Sequence, residues 1–167
     1  MEFRDLFVIL GSFQNVFNFF VSKKLLASCQ QCSRCGSNME LTETTQVNDG
    51  YMWRCMNKQC RTWPSIRSGS FFKGSNIPLS TWLHLMFLWA MQISGSKIAR
   101  LTSLSKPTVI RALSELRTIC CNKVLNAGIK LGGLGKTMEI DESKFGAKRT
   151  YKRGRVLEGP WVFGVVE

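Results

Sequence analysis

Residues 32–60 read CSRCGSNMELTETTQVNDGYMWRCMNKQC, and the fold turns on this stretch. Cys32 and Cys35 form a CxxC with Gly36 behind it, and Cys55 and Cys60 follow on the far side of a polar run. Two close cysteine pairs on opposite arms suit one tetrahedral Zn²⁺ held by four thiolates. A CxxCG turn aims backbone amides at the sulfurs, and Gly36 permits the positive φ that this turn requires. Between the pairs, LTETTQVNDGYMWR predicts two short strands around Asn48-Asp49-Gly50, a hairpin signal. The product is a zinc ribbon, a module too small to fold without its metal.

Free or disulfide-bonded cysteines are the competing reading. No cleavable signal peptide is evident, so an oxidising compartment is not implied. Cys29 and Cys32 also form a CxxC. The glycine favours Cys32 and Cys35, with Cys29 left open as a replacement ligand. Cys120 and Cys121 fall on a predicted helix and read as ordinary buried cysteines.

Around this stretch lie 167 residues, 44% hydrophobic, with a formal net charge of +12. That composition is globular rather than disordered. Residues 50–136 hold thirteen Lys and Arg against one acid, Glu115, so the flanks nearly cancel. A positive field confined in this way points to a polyanion, most simply nucleic acid, against the alternative of a solvated basic surface. No apolar run approaches the roughly 18 residues of a membrane span. Residues 1–28 are rich in Phe and predict two amphipathic helices, the second near 13–26. A degenerate targeting sequence is the alternative.

After the ribbon, SIRSGSFFKGSNIPLS (65–80) reads as a linker marked by Gly69, Gly74 and Pro78. Ser80 is placed to N-cap a helix through TWLHLMFLWAMQI, apolar on nearly every face and therefore central. His84 within it reads as a structural histidine. The segment 94–120, SGSKIARLTSLSKPTVIRALSELRTIC, predicts a helix-turn-helix. Its first helix spans about 96–101, with Ile98, Ala99 and Leu101 available to the core. Thr102, Ser103 and Leu104 make the turn. Ser105 caps the second helix, and Pro107 sits in its first turn, where a missing N–H costs little. Val109, Leu113 and Leu116 share one face. Lys106, Thr108, Arg111 and Ser114 share the other, as on a helix that meets bases and phosphates in a major groove. A plain helical hairpin with a solvated face is the alternative. Gly is the usual residue where Ser103 stands.

The end of the chain alternates like strands. TMEIDESKF and WVFGVVE flank the basic loop AKRTYKRGR. They predict an antiparallel hairpin that opens an α/β domain. Asp141 and Glu142 are expected at the end of its first strand.

These motifs together resemble the Merlin, or ISXO-like, DDE transposases, relatives of bacterial insertion-sequence transposases. The resemblance rests on CxxCG, WRCxxxxCR, SIRSGSFFKGSNIPLSTW, the helix-turn-helix and EIDESKFGAKRTYKRGRVLEGPWVFGVVE, and covers about residues 20–167. It implies a zinc ribbon and helix-turn-helix that bind transposon ends. It also implies a ribonuclease-H-like domain using three acids and two Mg²⁺ ions. By the resemblance, Asp141 matches the first catalytic acid and Mg²⁺ ligand, and the chemistry agrees, since hard Mg²⁺ takes carboxylate oxygens. Glu142 points to the other strand face, and Glu167 is not a candidate. Lys148, Arg149, Lys152, Arg153 and Arg155 would hold DNA beside Asp141. The family's other two acids lie beyond residue 167, so the chain reads as a front portion without a complete catalytic site. The expected fold class is α+β and multi-module: helices at 1–28, zinc ribbon at 29–66, helix-turn-helix region at 67–130, truncated catalytic domain at 137–167. The expected partner is double-stranded DNA, with a homo-oligomer allowed, no membrane, and a nuclear address implied by DNA binding. A non-catalytic DNA-binding regulator is the second expectation.

Overall fold

The computed structural model describes residues 3–128, 130–145 and 159–166. Among these the chain is mixed α+β, with five helices and two small antiparallel sheets. It divides into two compact units, residues 1–114 and 115–167.

The first unit opens with α1 (Phe3–Leu10) and α2 (Phe13–Ser22). Ser12 N-caps α2, its hydroxyl accepting from the Asn15 amide at 3.2 Å. The helix ends at Ser22, short of the predicted 26, because Lys24 adopts a left-handed φ of 58°. Strands β1 (Met39–Glu43) and β2 (Tyr51–Cys55) pair antiparallel, from Met39 against Cys55 to Glu43 against Tyr51. Residues 62–65 line the other edge of β2, where Thr62 and Pro64 carbonyls accept from the Cys55 and Trp53 amides, both at 3.0 Å. The long helix α3 (Leu79–Ala90) buries Leu79, Trp82, Leu83, Leu85, Phe87 and Leu88, as its all-round apolar sequence requires.

Aromatic side chains join these pieces. Phe13 stacks on Tyr51 of β2 with ring centroids 4.0 Å apart. Phe20 meets Phe72 at 4.7 Å, and Phe72 meets Trp82 of α3 at 5.8 Å. Residues 65–78, expected as a linker, therefore belong to the core: Ile66, Arg67, Phe72 and Ile77 are all buried.

The expected hairpin forms, while the expected cap of α3 is corrected here. Asn48 and Asp49 lie in a turn closed by the Gly50 amide on the Val47 carbonyl at 3.0 Å. It closes a wider loop over residues 44–50, sealed by the Thr44 amide on the Gly50 carbonyl at 2.8 Å. Asp49 is held by Arg67. Its Oδ2 accepts from Arg67 Nε at 2.6 Å and its Oδ1 from Nη2 at 2.7 Å. The remaining guanidinium contacts go to the Ser75 and Ile77 carbonyls, both at 2.6 Å. Asp49 Oδ1 also accepts from the Leu79 amide at 3.0 Å. So α3 is capped by a carboxylate from a distant loop, with Pro78 at the N-cap position and Ser80 already inside the helix. A negative charge at this end also favours the helix dipole.

Helices α4 (Gly95–Thr102) and α5 (Lys106–Asn126) follow, joined by residues 103–105. Ser103 takes the left-handed conformation (φ 55°) at the end of α4, as a glycine often does. Ile98, Ala99, Val109, Ala112 and Leu113 are buried, but Leu101, expected inside, is exposed.

The second unit holds the rest of α5 and a hairpin of β3 (Glu139–Lys144) and β4 (Trp161–Val166). Glu139 pairs with Val166, Asp141 with Gly164 and Lys144 with Trp161. Cys120 and Cys121 are exposed, against expectation, because nothing described covers this part of α5. Both faces of the hairpin are exposed too, including Ile140 and Phe163.

Candidate metal centre

The first cysteine pair lies in a small turn inside residues 30–39. The Gly36 amide donates to the Cys32 carbonyl at 2.8 Å, and Gly36 takes φ 71°. The second pair uses a related turn. The Cys60 and Arg61 amides both donate to the Asn57 carbonyl, at 3.0 and 3.2 Å, and Arg61 takes φ 48°. The residue after the last cysteine of each pair is thus left-handed, glycine in one case and arginine in the other. Strand pairing of Met39 with Cys55 then brings the two turns together at one end of the hairpin.

There the sulfurs of Cys32, Cys35, Cys55 and Cys60 all lie within 4.8 Å of one another. Cys32 and Cys60 sulfurs are 3.5 Å apart, and those of Cys35 and Cys55 are 3.4 Å apart. These separations exceed a disulfide bond of about 2.05 Å. They lie a few tenths of an ångström under the edge of a tetrahedron, about 3.8 Å for metal–sulfur bonds near 2.3 Å. All four thiols are free, so the donor set fits a metal ion. Cys29 is exposed and outside the cluster, so the CxxC whose thiols are both brought to the second pair is that of Cys32 and Cys35.

The surroundings treat the thiols differently. The Thr62 hydroxyl lies 3.0 Å from the Cys32 sulfur and 3.2 Å from that of Cys60. Chiefly through Thr62, helped by the Arg34 and Cys35 amides, the Cys32 pKa falls to about 6. Hydrogen bonds from the Ser37 side chain and amide lower that of Cys35. Burial pushes Cys55 up to about 11. The sequence offered no sign of Thr62, which arrives through pairing of residues 62–65 with β2.

A pH dependence follows. In the metal-free fold, the depressed Cys32 contributes stability above its ordinary value of 9.0 and loses it as pH falls through about 6. The raised Cys55 contributes below 9.0 and loses its share as pH rises through about 11. A metal taken up at neutral pH must displace the proton on Cys55, so affinity rises with pH there. Below about pH 6 Cys32 is protonated as well, and affinity should fall more steeply. Competition with a chelator of known affinity across pH should show that break in slope. A flat profile would contradict it.

Among the described residues this is the cluster able to hold a metal, and Asp141 belongs to none. Asp141 is in mid-strand rather than at a strand end, exposed, with Oδ1 accepting from the Glu142 amide at 2.9 Å. Register places Glu139, Ser143 and Gly164 on its face and Glu142 on the other. On α5, Lys106, Arg111 and Ser114 are exposed. Thr108 is half-buried, its hydroxyl 2.7 Å from that of Ser105, and so serves the helix cap. Lys148, Arg149, Lys152, Arg153, Arg155 and Glu167 lie outside the described residues.

No protein-family model, curated protein or solved structure matches this chain. No described helix is long and apolar enough to cross a membrane.

Proposed function

We propose that the chain is a zinc-stabilised DNA-binding protein in which α4 and α5 form a helix-turn-helix, β1 and β2 a zinc ribbon. Zinc is the metal because four thiolates at tetrahedral spacing suit its soft, geometry-tolerant d¹⁰ ion. One observation carries the DNA reading: α5 buries Val109, Ala112 and Leu113 while Lys106 and Arg111 stay exposed beside a left-handed turn. Lys97 and Arg100 on α4 are exposed as well. A docked recognition helix needs this division, one face for packing and one for the groove.

The resemblance to ISXO-like DDE transposases makes transposon ends the proposed duplex and the nucleus the proposed compartment. On that reading Asp141 is the first acid of a Mg²⁺-dependent cleavage and strand-transfer site. One carboxylate cannot fix two Mg²⁺ ions, so these residues bind DNA and leave cleavage to a site with further acids. The non-catalytic regulator differs only in lacking that site.

Duplex affinity should fall steeply with salt, because bound cations release counterions from the phosphates. Arg111→Ala should cost about 1–3 kcal/mol of duplex binding if Arg111 reads a base. Fluorescence anisotropy with random and element-end duplexes measures both. Equal binding of heparin and duplex, unchanged by Arg111→Ala, would reduce the reading to non-specific charge.

A further inference from the structure

The metal end of the hairpin carries a feature that helix α5 does not explain. Trp63 is 42% exposed, on the segment that lines the outer edge of β2. The Arg54 guanidinium lies over its ring, 5.3 Å from the centroid. Arg34 in the first cysteine turn, and Lys58 and Arg61 in the second, are exposed at the same end. No acid occurs between residues 54 and 67.

We infer that this end of the hairpin is a stacking platform for an unpaired base of a single-stranded nucleic acid. Trp63 would take the base on the ring face that Arg54 does not cover, and Arg54, Lys58, Arg61 and Arg34 the flanking phosphates.

Three observations carry the inference. Four thiolates around Zn²⁺ leave a charge of about −2. The four arginine and lysine side chains exceed what that centre neutralises, so a local positive field remains for an anion. Arg61 supplies one of these cations from a left-handed conformation that Gly36 adopts without strain in the companion turn. The aromatic ring sits on a sheet edge rather than in a groove. A base can reach its face only when that base is free of a duplex stack, which separates this surface from a groove-binding helix. Glu40, the cross-strand partner of Arg54, is the opposing charge on this face. It lies on the β1 side, whereas Trp63 lies on the far side of β2, so the strand path follows residues 61–63. The inference stands apart from the reading of α5.

The test uses the full zinc-loaded chain and labelled oligo-dT, oligo-rU, an abasic strand of equal length and a duplex. Wild-type protein should prefer the base-bearing strands to the abasic one by on the order of 10-fold or more. Trp63→Ala should lose about that factor for the single strands, Trp63→Phe should keep most of it, and neither should change duplex binding. Arg111→Ala should show the reverse pattern. The tighter of oligo-dT and oligo-rU names the polymer. Equal wild-type binding of abasic and base-bearing strands would overturn the inference without any variant. So would equal competition by polyglutamate, or a zinc-retaining Trp63→Ala protein with unchanged single-strand affinity.

Discussion

Cys55→Ser protein is expected to leave purification without zinc and without an ordered β1–β2 hairpin. Cys55 is both a ligand-position thiol and a strand residue, 4% exposed and paired with Met39. Its loss removes one corner of a cluster whose sulfurs lie within 4.8 Å. Binding free energies for structural Zn²⁺ in such small modules are about 10–16 kcal/mol at neutral pH, and this energy is folding energy. The consequences should spread, because Tyr51 and Trp53 of the same strand meet Phe13 and Phe17 of α2. Near-ultraviolet circular dichroism and amide exchange should show α2 loosened along with the hairpin. Cys29→Ser should keep zinc and structure. Zinc lost in Cys29→Ser and kept in Cys35→Ser would show the other CxxC frame to be the right one.

The second large effect belongs to Asp49. Asp49→Ala should lower stability by about 3–5 kcal/mol, because it strands the Arg67 charge in the interior. The two side chains are 6% and 8% exposed, and Asp49 also caps α3 through the Leu79 amide. The pair ties the loop at 44–50 to residues 65–79, so this change should disturb α3 more than the cysteine turns. Urea unfolding at fixed zinc measures it. Pairing Asp49→Ala with Arg67→Met should recover much of the loss, since an apolar side chain in that place needs no counter-charge. A single-variant loss under about 1 kcal/mol would show the ion pair to be dispensable.

The parts legible in the sequence were those whose chemistry is local. Cysteine spacing and Gly36 define the two cysteine turns within a few residues. The stripe of Val109 and Leu113 opposite Arg111 defines α5 by periodicity alone. Asp49 and Arg67 escaped because each looked like punctuation, one in a turn signal and one in a Gly- and Ser-rich run. Only the folded chain brings the two charges together, and with them the cap of α3. The aromatic chain from Phe13 through Phe72 to Trp82 was hidden likewise, since ring contacts between elements leave no period in sequence. Cys120 and Cys121 were misjudged for a related reason. Apolar character says that a helix face wants cover, not that cover is present. Asp141 was displaced to a strand end because strand limits depend on pairing partners, and the pairs Glu139–Val166 and Lys144–Trp161 extend the ladder on both sides of it.

The four-thiolate centre is the claim on which the rest of the first unit depends. Its most direct test is metal analysis joined to cobalt exchange on full-length protein prepared without chelator. One zinc per chain is expected, replaceable by Co²⁺ with intense visible bands of a tetrahedral thiolate site, and those bands should vanish in Cys55→Ser. Protein that is folded, carries no metal and shows no such bands on Co²⁺ addition would contradict the account.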